Sequence, residues 1–483
     1  MNKAYPSRIG FLCIMKAMKD TVSQPNRKYI TAVLISGVIL LVRMIFCVVG
    51  DMDEIWNYDL CRGVSMGYIP YRDFNMVMMP LFDWLFYIPL KISRTLLMYR
   101  IVSALWLTGI VAALYKKAVK KVGDDLAVFL SIVFSAFMDI FTYNALFFLF
   151  AILFYLIWEK EDMKYRMPLL GSAAMLSVLS RQTSGGILLI LGLIIVIRSG
   201  DKKNRMRSVL GYLTGFGIAG FIFLIYLLAT GSFVKFWDYC FFAMFMSEGN
   251  SGFQTASIPL LLIVTLGIAA DILDYRKTHN RNSIIHLLLG LTVVTISIPI
   301  VDRLHTMYSV MWFAVPIVAV IRKKYSEKIT ANIVRIMDFG AIALGLIFAY
   351  LSFSGSIYTN DIEELRYVPL PGDIQAYKDI SDINKLYEDT GYNVTVFSQD
   401  AALISIVGGR FEPPYDLFLK GNLGTTDPMT YPVAACYKSD SIILITDDYR
   451  DGWENPEGVY EYVTSHGHPI YSYSQYVWYM PDQ

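Results

Sequence analysis

The sequence has few charged residues. Asp, Glu, Lys and Arg make up 17% of its 483 residues, whereas a soluble globular domain carries about a quarter. Hydrophobic residues make up 55%, and the mean hydropathy is +0.46. This composition excludes an ordinary soluble protein and indicates a membrane protein. The net charge of +1 says nothing about partners until it is divided by region, and no nucleic-acid partner is predicted.

The sequence also lacks the motifs of several common kinds of functional site. The five cysteines have no C-x-x-C or metal-ligand spacing, which favours free thiols or small buried apolar groups. We find no G-x-x-x-x-G-K-[ST] nucleotide loop, no tandem repeat and no low-complexity linker. The first apolar run is long and lacks a small-residue cleavage site, so we expect an uncleaved first span. The cysteines are Cys13, Cys47, Cys61, Cys240 and Cys436.

The sequence is rich in apolar runs of about 16 to 22 residues, the length of a bilayer-crossing helix. Backbone polar groups inside lipid must be satisfied within the segment, so these runs should be helical. We predict an α-helical polytopic membrane protein of about 11 transmembrane helices, with interfacial helices in the first outer loop. The run 77–92 is short and contains Asp83 and two prolines, and we expect it to be interfacial or re-entrant. The predicted spans are roughly 29–50, 96–115, 126–141, 144–158, 167–180, 184–197, 208–229, 257–273, 284–301, 307–321 and 331–353.

The basic residues indicate the orientation. Under this span count every dense Lys/Arg cluster lies on one side, which the positive-inside rule assigns to the cytoplasm. We therefore expect a cytoplasmic N-terminus at 1–28 and a transmembrane domain at 29–353. The first outer loop, 51–95, is the expected active-site loop. The remainder, 354–483, is expected outside the cell.

The composition changes in this last part of the chain. It has 20 acidic residues against seven Lys and Arg. An amphipathic stretch at 374–390 predicts a helix, and β-branched runs at 394–397 and 442–445 predict strands, with a helix-like stretch at 401–407 between them. We predict a small extracytoplasmic α/β domain.

Carboxylates directly follow the first span, at Asp51, Asp53 and Glu54. A carboxylate at this position can act as a general base toward an acceptor hydroxyl, and Asp53 and Glu54 are the candidate catalytic residues. The alternative is that Asp53 caps the helix that begins at Glu54. Three acids so close together repel one another, which leaves open a divalent cation at Asp51, Asp53 and Glu54.

Arginines and a histidine lie at the same predicted face, in separate parts of the chain. An arginine can bind a phosphate oxygen through two hydrogen bonds. The alternatives are headgroup anchoring for Arg72, a structural salt bridge between Arg181 and Asp139, and interfacial snorkelling near Arg303. The candidate phosphate or donor ligands are Arg72, Arg181, Gln182, Arg303 and His305, and the secondary candidates are Asp51, Tyr71, Asp73 and Asp139.

These features together resemble the GT-C glycosyltransferases, such as the dolichyl-phosphate-mannose protein mannosyltransferases and the lipid A aminoarabinose transferases. The resemblance covers roughly 30–320. It depends on Asp53-Glu54 just after the first span, on Gly-x-x-Pro-Tyr-Arg-Asp-Phe at 67–74 followed by Pro80-Leu81, on Arg181-Gln182-Thr183, and on the late Asp/Arg/His cluster. The tail motifs at 415–418 and 421–424 resemble the outer domain of bacterial members.

The resemblance implies a polyprenyl-phosphate-linked sugar donor and transfer with inversion at the anomeric carbon. It implies an extracytoplasmic glycan, lipid or protein acceptor, Asp53 as the catalytic carboxylate, and a multi-pass protein of a bacterial cell membrane. The chain departs from the pattern at Met76–Met79, where relatives often have Lys or His before the prolines. The alternatives are a transporter or flippase of lipid-linked glycans and a non-catalytic glycan-binding membrane protein.

Overall fold

The protein, as a computed structural model, is described over residues 27–49, 52–138, 140–199, 204–242, 252–324, 327–354, 361–371, 373–398, 400–411, 423–427, 429–446 and 458–482. The described residues from Arg27 to Ser354 are mostly helical. The helices are α1 (Arg27–Phe46), α2 (Met52–Met66), α3 (Leu81–Ile92), α4 (Leu96–Val122), α5 (Asp124–Phe137), α6 (Tyr143–Trp158), α7 (Arg166–Ser180), α8 (Gln182–Ser199), α9 (Arg205–Thr230), α10 (Phe233–Trp237), α11 (Ile258–Thr278), α12 (Arg281–Val294), α13 (Arg303–Lys324) and α14 (Glu327–Ser354).

Each of the 11 predicted spans coincides with one of these helices, but the count of 11 crossings is not established. Among the described residues, six helices are long and apolar enough to cross a bilayer, and the chain is an integral membrane protein. Others are short: α5 has 14 residues and would extend only about 21 Å, against about 30 Å of hydrocarbon. The six are Arg27–Phe46, Leu96–Val122, Arg205–Thr230, Thr255–Thr278, Arg303–Lys323 and Val334–Ser354.

The segment 51–95, which we predict as the first outer loop, contains α2 and α3. The helix α3, which covers most of the run 77–92, has 12 residues, too few to cross a bilayer. Its aromatic side chains pack against α4 and against the connection between α5 and α6: the rings of Phe86 and Tyr99 stack with centroids 4.5 Å apart, and Phe82 lies 5.4 Å from Phe141. This packing fixes the loop against the top of the helical bundle.

Inside the bundle, α7 and α9 pack closely because their contact contains glycine. A Cβ atom added at Gly215 would lie 1.8 Å from the carbonyl oxygen of Pro168. Only a residue without a side chain allows the two backbones to approach in this way. Arg43, which the sequence leaves without a partner inside the first span, donates a hydrogen bond to the carbonyl of Ala136.

The last part of the chain forms a four-stranded sheet with helices on both faces. The strand order is β3-β4-β6-β5, with β3 parallel to β4 and the other neighbours antiparallel. Every residue of β4 is buried, as expected for a strand covered on both sides. The predicted helices and strands are present. The elements are α15 (Ile374–Asp389), β3 (Asn393–Phe397), α16 (Ala401–Val407), α17 (Thr430–Cys436), β4 (Ser441–Thr446), α18 (Val459–Ser465), β5 (Gly467–Tyr473) and β6 (Tyr476–Pro481).

Two short strands connect outer loops of the bundle. β1 (Gly252–Phe253) pairs in parallel with β2 (Ile300–Val301), and Gln254 N donates to Val301 O over 2.9 Å. β2 ends directly before Asp302, so this pairing supports the loop from which α13 begins.

Candidate functional site

Asp53 lies in the first turn of α2 and is partly buried. Burial raises the pKa of its carboxyl; His305 lowers this pKa and Asp302 raises it. The charges of α13 therefore act on Asp53, although the two segments lie at opposite ends of the transmembrane sequence. The structure places His305 close enough to Asp53 to affect the pKa of its carboxyl.

Asp302 and His305 form a closed pair at the start of α13. An Asp302 carboxylate oxygen accepts the backbone N–H of His305 at 2.7 Å, as a helix-capping residue does. The Nδ1 atom of His305 lies 2.9 and 2.8 Å from the two carboxylate oxygens. Burial acts to raise the pKa of Asp302, but the hydrogen bonds from His305 leave it below its usual value. Asp302 thus fixes the orientation of the His305 ring.

Arg181, between α7 and α8, contacts two other parts of the outer face. It donates hydrogen bonds to Asn144 Oδ1 and, over 3.1 Å, to the carbonyl of Ile298 in the loop before Asp302. Its guanidinium lies 5.9 Å from the ring centroid of Tyr143. Tyr143 interacts electrostatically with both Arg181 and Asp53, so it connects the two candidates.

Glu54 has a different environment from Asp53. It is buried, and Arg100 binds it through two hydrogen bonds, Nε to Oε1 at 2.7 Å and Nη2 to Oε2 at 2.6 Å. Arg100 also donates to the carbonyl of Cys47 over 2.5 Å. This arrangement ties α2 and the end of the first span to α4. Both carboxylate oxygens of the candidate catalytic Glu54 are therefore engaged in a structural ion pair.

Arg72 and Asp73 pair with each other. Their two hydrogen bonds measure 2.7 and 2.9 Å, and the Arg72 side chain is about half exposed. The hydrogen bond from Arg72 lowers the pKa of Asp73, which also accepts the N–H of Ile69 at 2.8 Å. Tyr71 is buried and donates to the carbonyl of Met78 over 2.6 Å. These contacts shape the turn at 69–74.

The segment Met76–Met79 is held by structural contacts. Gln182 Nε2 donates to the carbonyl of Val77 over 2.6 Å, and Met76, Met78 and Met79 are buried in an apolar cluster. Gln182 therefore joins α8 to the first outer loop. Where the family pattern has Lys or His, this chain has methionines that pack into an apolar cluster.

Arg62 is buried at the junction with the outer domain. It donates to Asp59 Oδ1 at 2.7 and 2.9 Å, to Glu364 Oε2 at 2.6 Å and to Ser405 Oγ at 3.0 Å. A further hydrogen bond reaches the carbonyl of Arg410. One guanidinium thus joins the Asp53 helix to two segments of the outer domain.

The remaining candidates are Arg303, Asp51 and Asp139. Arg303 is the first residue of α13 and is exposed. Asp51 and Asp139 lie outside the described residues. Among the residues that are described, no group of three His, Cys, Asp or Glu side chains is arranged to hold a metal ion. Glu54 is bound to Arg100, and Asp51 lies outside the described residues, so the cation site at Asp51, Asp53 and Glu54 stays a prediction.

Sequence reasoning did not identify Tyr143, Asn144 or Arg100 as partners of the candidate residues. Tyr143 and Asn144 are polar residues at the start of an apolar helix, which was the available signal. Arg100 is a charged residue in the first turns of α4, and such a residue usually has a partner. Its partner, Glu54, is 46 positions away.

Comparison with solved structures identifies the fold. The chain aligns with ArnT, the lipid A aminoarabinose transferase, from Cupriavidus metallidurans bound to undecaprenyl phosphate, with a TM-score of 0.60 and 12% identity over 93% of this chain and 97% of that chain. The apo form of that protein gives a TM-score of 0.59 at 11% identity, with the same coverage. The chain has a GT-C fold.

A second solved structure has the same GT-C fold. It is the archaeal oligosaccharyltransferase AglB from Archaeoglobus fulgidus in complex with an inhibitory peptide and a dolichol-phosphate, with a TM-score of 0.53 and 11% identity over 95% of this chain and 74% of that chain. No protein-family profile matches the sequence, and no curated protein matches it either. The resemblance seen in the sequence is thus confirmed at the level of the GT-C fold.

Proposed function

We propose that the protein transfers a sugar from a polyprenyl-phosphate donor to an acceptor hydroxyl at the outer face of the membrane. The acceptor is a cell-surface glycan, lipid or protein. The proposal is carried by the effect of Asp302 and His305, at the start of α13, on the pKa of the Asp53 carboxyl, together with the Asp302–His305 hydrogen bonds and the Arg181 guanidinium 5.9 Å from the Tyr143 ring centroid. The solved structures with this fold include proteins bound to undecaprenyl phosphate and to a dolichol-phosphate, which supports a lipid-phosphate donor.

In the proposed reaction Asp53 is the general base. The acceptor oxygen attacks the anomeric carbon, its proton passes to the Asp53 carboxylate, and the bond from that carbon to the phosphate oxygen breaks with inversion. The lipid phosphate leaves with the bonding electrons. Burial and the nearby Asp302 raise the pKa of Asp53, which makes its carboxylate a stronger base.

Cationic groups would stabilise the leaving phosphate. We assign this role to Arg181, His305 and Arg303, because fixed donors aimed at developing charge contribute most to such a step. Asp302 orients His305 through its carboxylate. Glu54, Arg62 and Gln182 support this group by holding α2 and the first outer loop in position, and Arg72 is assigned to the turn that it forms with Asp73.

The experiment separates donor binding from turnover. Full-length protein in nanodiscs is tested for binding of undecaprenyl phosphate by thermal shift, and for release of lipid phosphate from a panel of polyprenyl-phosphate hexoses and pentoses. Asp53→Asn should bind undecaprenyl phosphate like the wild type and lose at least 100-fold in turnover, the loss expected of a general base at about 10²–10⁴. Arg181→Gln should weaken binding of undecaprenyl phosphate.

The matched control variants carry the same type of substitution at exposed positions away from the site. Asp382→Asn and Arg366→Gln alter exposed residues of the outer part of the chain and should leave both readouts unchanged. Wild-type turnover by Asp53→Asn would refute the base assignment. Movement of the intact donor across the bilayer without release of phosphate would favour the flippase alternative.

A further inference from the structure

An apolar groove opens between α4 and α6 at the end of the bundle that carries the lysine clusters. Its volume is about 540 Å³. The wall from α4 consists of small residues, and the wall from α6 consists of larger aliphatic ones. These residues are Gly109, Ala112, Ala113, Leu149, Leu153, Leu156 and Ile157.

Three lysines complete the lining at one end. Lys116 and Lys120 lie one helical turn apart on α4, and Lys160 follows the end of α6. Lys116 Nζ lies 5.3 Å from the centre of the Tyr29 ring, and Lys120 Nζ lies 3.0 Å from Glu159 Oε2. The lining described for this groove contains no carboxylate. All three lysines are exposed, so their ammonium groups are accessible to a ligand.

The groove is separate from the proposed catalytic site. Arg100, which binds Glu54 beside Asp53, also lies on α4, 16 residues before Lys116. That separation corresponds to about 24 Å along a helix. The groove and the Asp53 group therefore open at opposite leaflets.

We propose that this groove binds one anionic glycerophospholipid. Its acyl chains would lie along the small-residue wall of α4, and its phosphate would lie among the three lysines. Positive charge combined with an apolar wall between transmembrane helices is the arrangement that recognises an anionic lipid headgroup, since a zwitterionic lipid gains little from the lysines. The proposal does not depend on the proposed sugar transfer.

The probes are phosphatidylglycerol and phosphatidylcholine with identical acyl chains. Full-length protein in neutral detergent is titrated with each lipid, and lipid retention is followed by native mass spectrometry and by the unfolding temperature. Wild type should retain phosphatidylglycerol in preference to phosphatidylcholine. Lys116→Gln/Lys120→Gln/Lys160→Gln should bind phosphatidylglycerol at least about 25-fold more weakly, since Lys116 and Lys160 each contribute on the order of fivefold near an anionic headgroup and Lys120, partly used by Glu159, contributes less.

The control triple variant removes the same charge at the same face. Arg276, Lys277 and Lys323 are exposed and do not line the groove. Arg276→Gln/Lys277→Gln/Lys323→Gln should retain the wild-type preference for phosphatidylglycerol. An equal loss in both triple variants would refute the groove, because the lipid would then respond only to total charge.

A second variant tests the apolar wall without changing any charge. A Cβ atom added at Gly109 would meet no other heavy atom within 4 Å, so Gly109→Phe should fold and fill the groove. We expect this variant to unfold like wild type without lipid and to lose phosphatidylglycerol. Retention of the lipid by Gly109→Phe, or equal binding of phosphatidylcholine by wild type, would overturn the proposal.

Discussion

Arg62 Nη1 lies 2.6 Å from Glu364 Oε2, in a buried ion pair that spans 302 positions of the sequence. Arg62 belongs to the helix that begins with Asp53, and Glu364 precedes the sheet of the outer domain. The geometry of the proposed catalytic helix and the attachment of the outer domain therefore depend on the same side chain.

Replacing Arg62 should destabilise the protein strongly. Arg62→Met would leave the buried carboxylates of Asp59 and Glu364 without their cation, which costs about 3–5 kcal/mol for a broken buried pair. The measurement is thermal unfolding of the purified protein in nanodiscs. The exposed Arg366→Gln variant serves as the control and should unfold like wild type. A wild-type unfolding temperature for Arg62→Met would contradict the structural role.

Substitutions of the neighbouring acids Asp53 and Glu54 should have different effects, the first on turnover and the second on stability. Glu54→Gln breaks the buried pair with Arg100 and should lower stability by about 3–5 kcal/mol. Asp53→Asn should leave the unfolding temperature nearly unchanged and abolish turnover. Unfolding curves and turnover are measured for both variants. The double variant Glu54→Leu/Arg100→Leu should recover much of the stability, because it removes both charges together.

The pH dependence should identify the group that titrates. Because the pKa of Asp53 is raised by burial and by Asp302, turnover should fall as pH decreases through a value above the ordinary 3.8. Stability has the opposite sign: the protonated carboxyl favours the folded state, so its contribution is full below the unfolded pKa and is lost as pH rises through the folded pKa.

The test of this assignment is His305→Gln. His305 lowers the pKa of Asp53, so its loss should move the acid limb of kcat/KM to higher pH as well as reduce the rate. The profile is measured with a polyprenyl-phosphate sugar that supports turnover. The exposed His468→Gln variant should retain the wild-type limb. An unmoved limb in His305→Gln would exclude the interaction with Asp53.

A pair of glycines on α9 tests the helix contact. An added Cβ at Gly215 would overlap the carbonyl of Pro168, whereas at Gly217 it would meet no other atom within 4 Å. Gly215→Ala should lower the unfolding temperature, with a cost of about 1–3 kcal/mol for overpacking, and Gly217→Ala should not. Equal effects of the two substitutions would exclude the close approach of α7 and α9.

The sequence was sufficient to predict where helices form, because a bilayer requires long apolar runs with internal backbone hydrogen bonds. It was not sufficient to decide how many of them cross. Helices such as α5 and α7 are shorter than the hydrocarbon core, and a helix of that length crosses only where the bilayer thins or flanking residues reach the interface. The apolar pattern alone does not distinguish such a short span from a helix that enters the bilayer only in part. The predicted helices and strands of the last part of the chain are present. Its strand β4 was recognisable because its apolar residues face two buried clusters in turn, Ile443 on one side of the sheet and Ile442 on the other.

The candidate site was also only partly predictable from the sequence. The sequence predicts that Asp53, Arg181 and His305 share one face, because each lies at the same end of a predicted span. The partners of Glu54 and Arg62 do not follow, since side-chain pairing over 46 and 302 positions leaves no local pattern. Adjacent acids at 53 and 54 look equivalent in the sequence, and helix geometry points them in different directions.

The buried guanidinium at the junction also limits how this protein can be re-engineered. The last part of the chain cannot simply be exchanged for that of another protein with this fold. A replacement that lacks acceptors for Arg62 would leave the guanidinium with Asp59 as its side-chain partner and would remove its hydrogen bonds to Glu364 and Ser405. A functional chimera joined between Ser354 and Asp361 must supply a carboxylate equivalent to Glu364 and a hydroxyl equivalent to Ser405. The transmembrane part and the last part of the chain are therefore compatible only when the hydrogen-bond acceptors of Arg62 are retained.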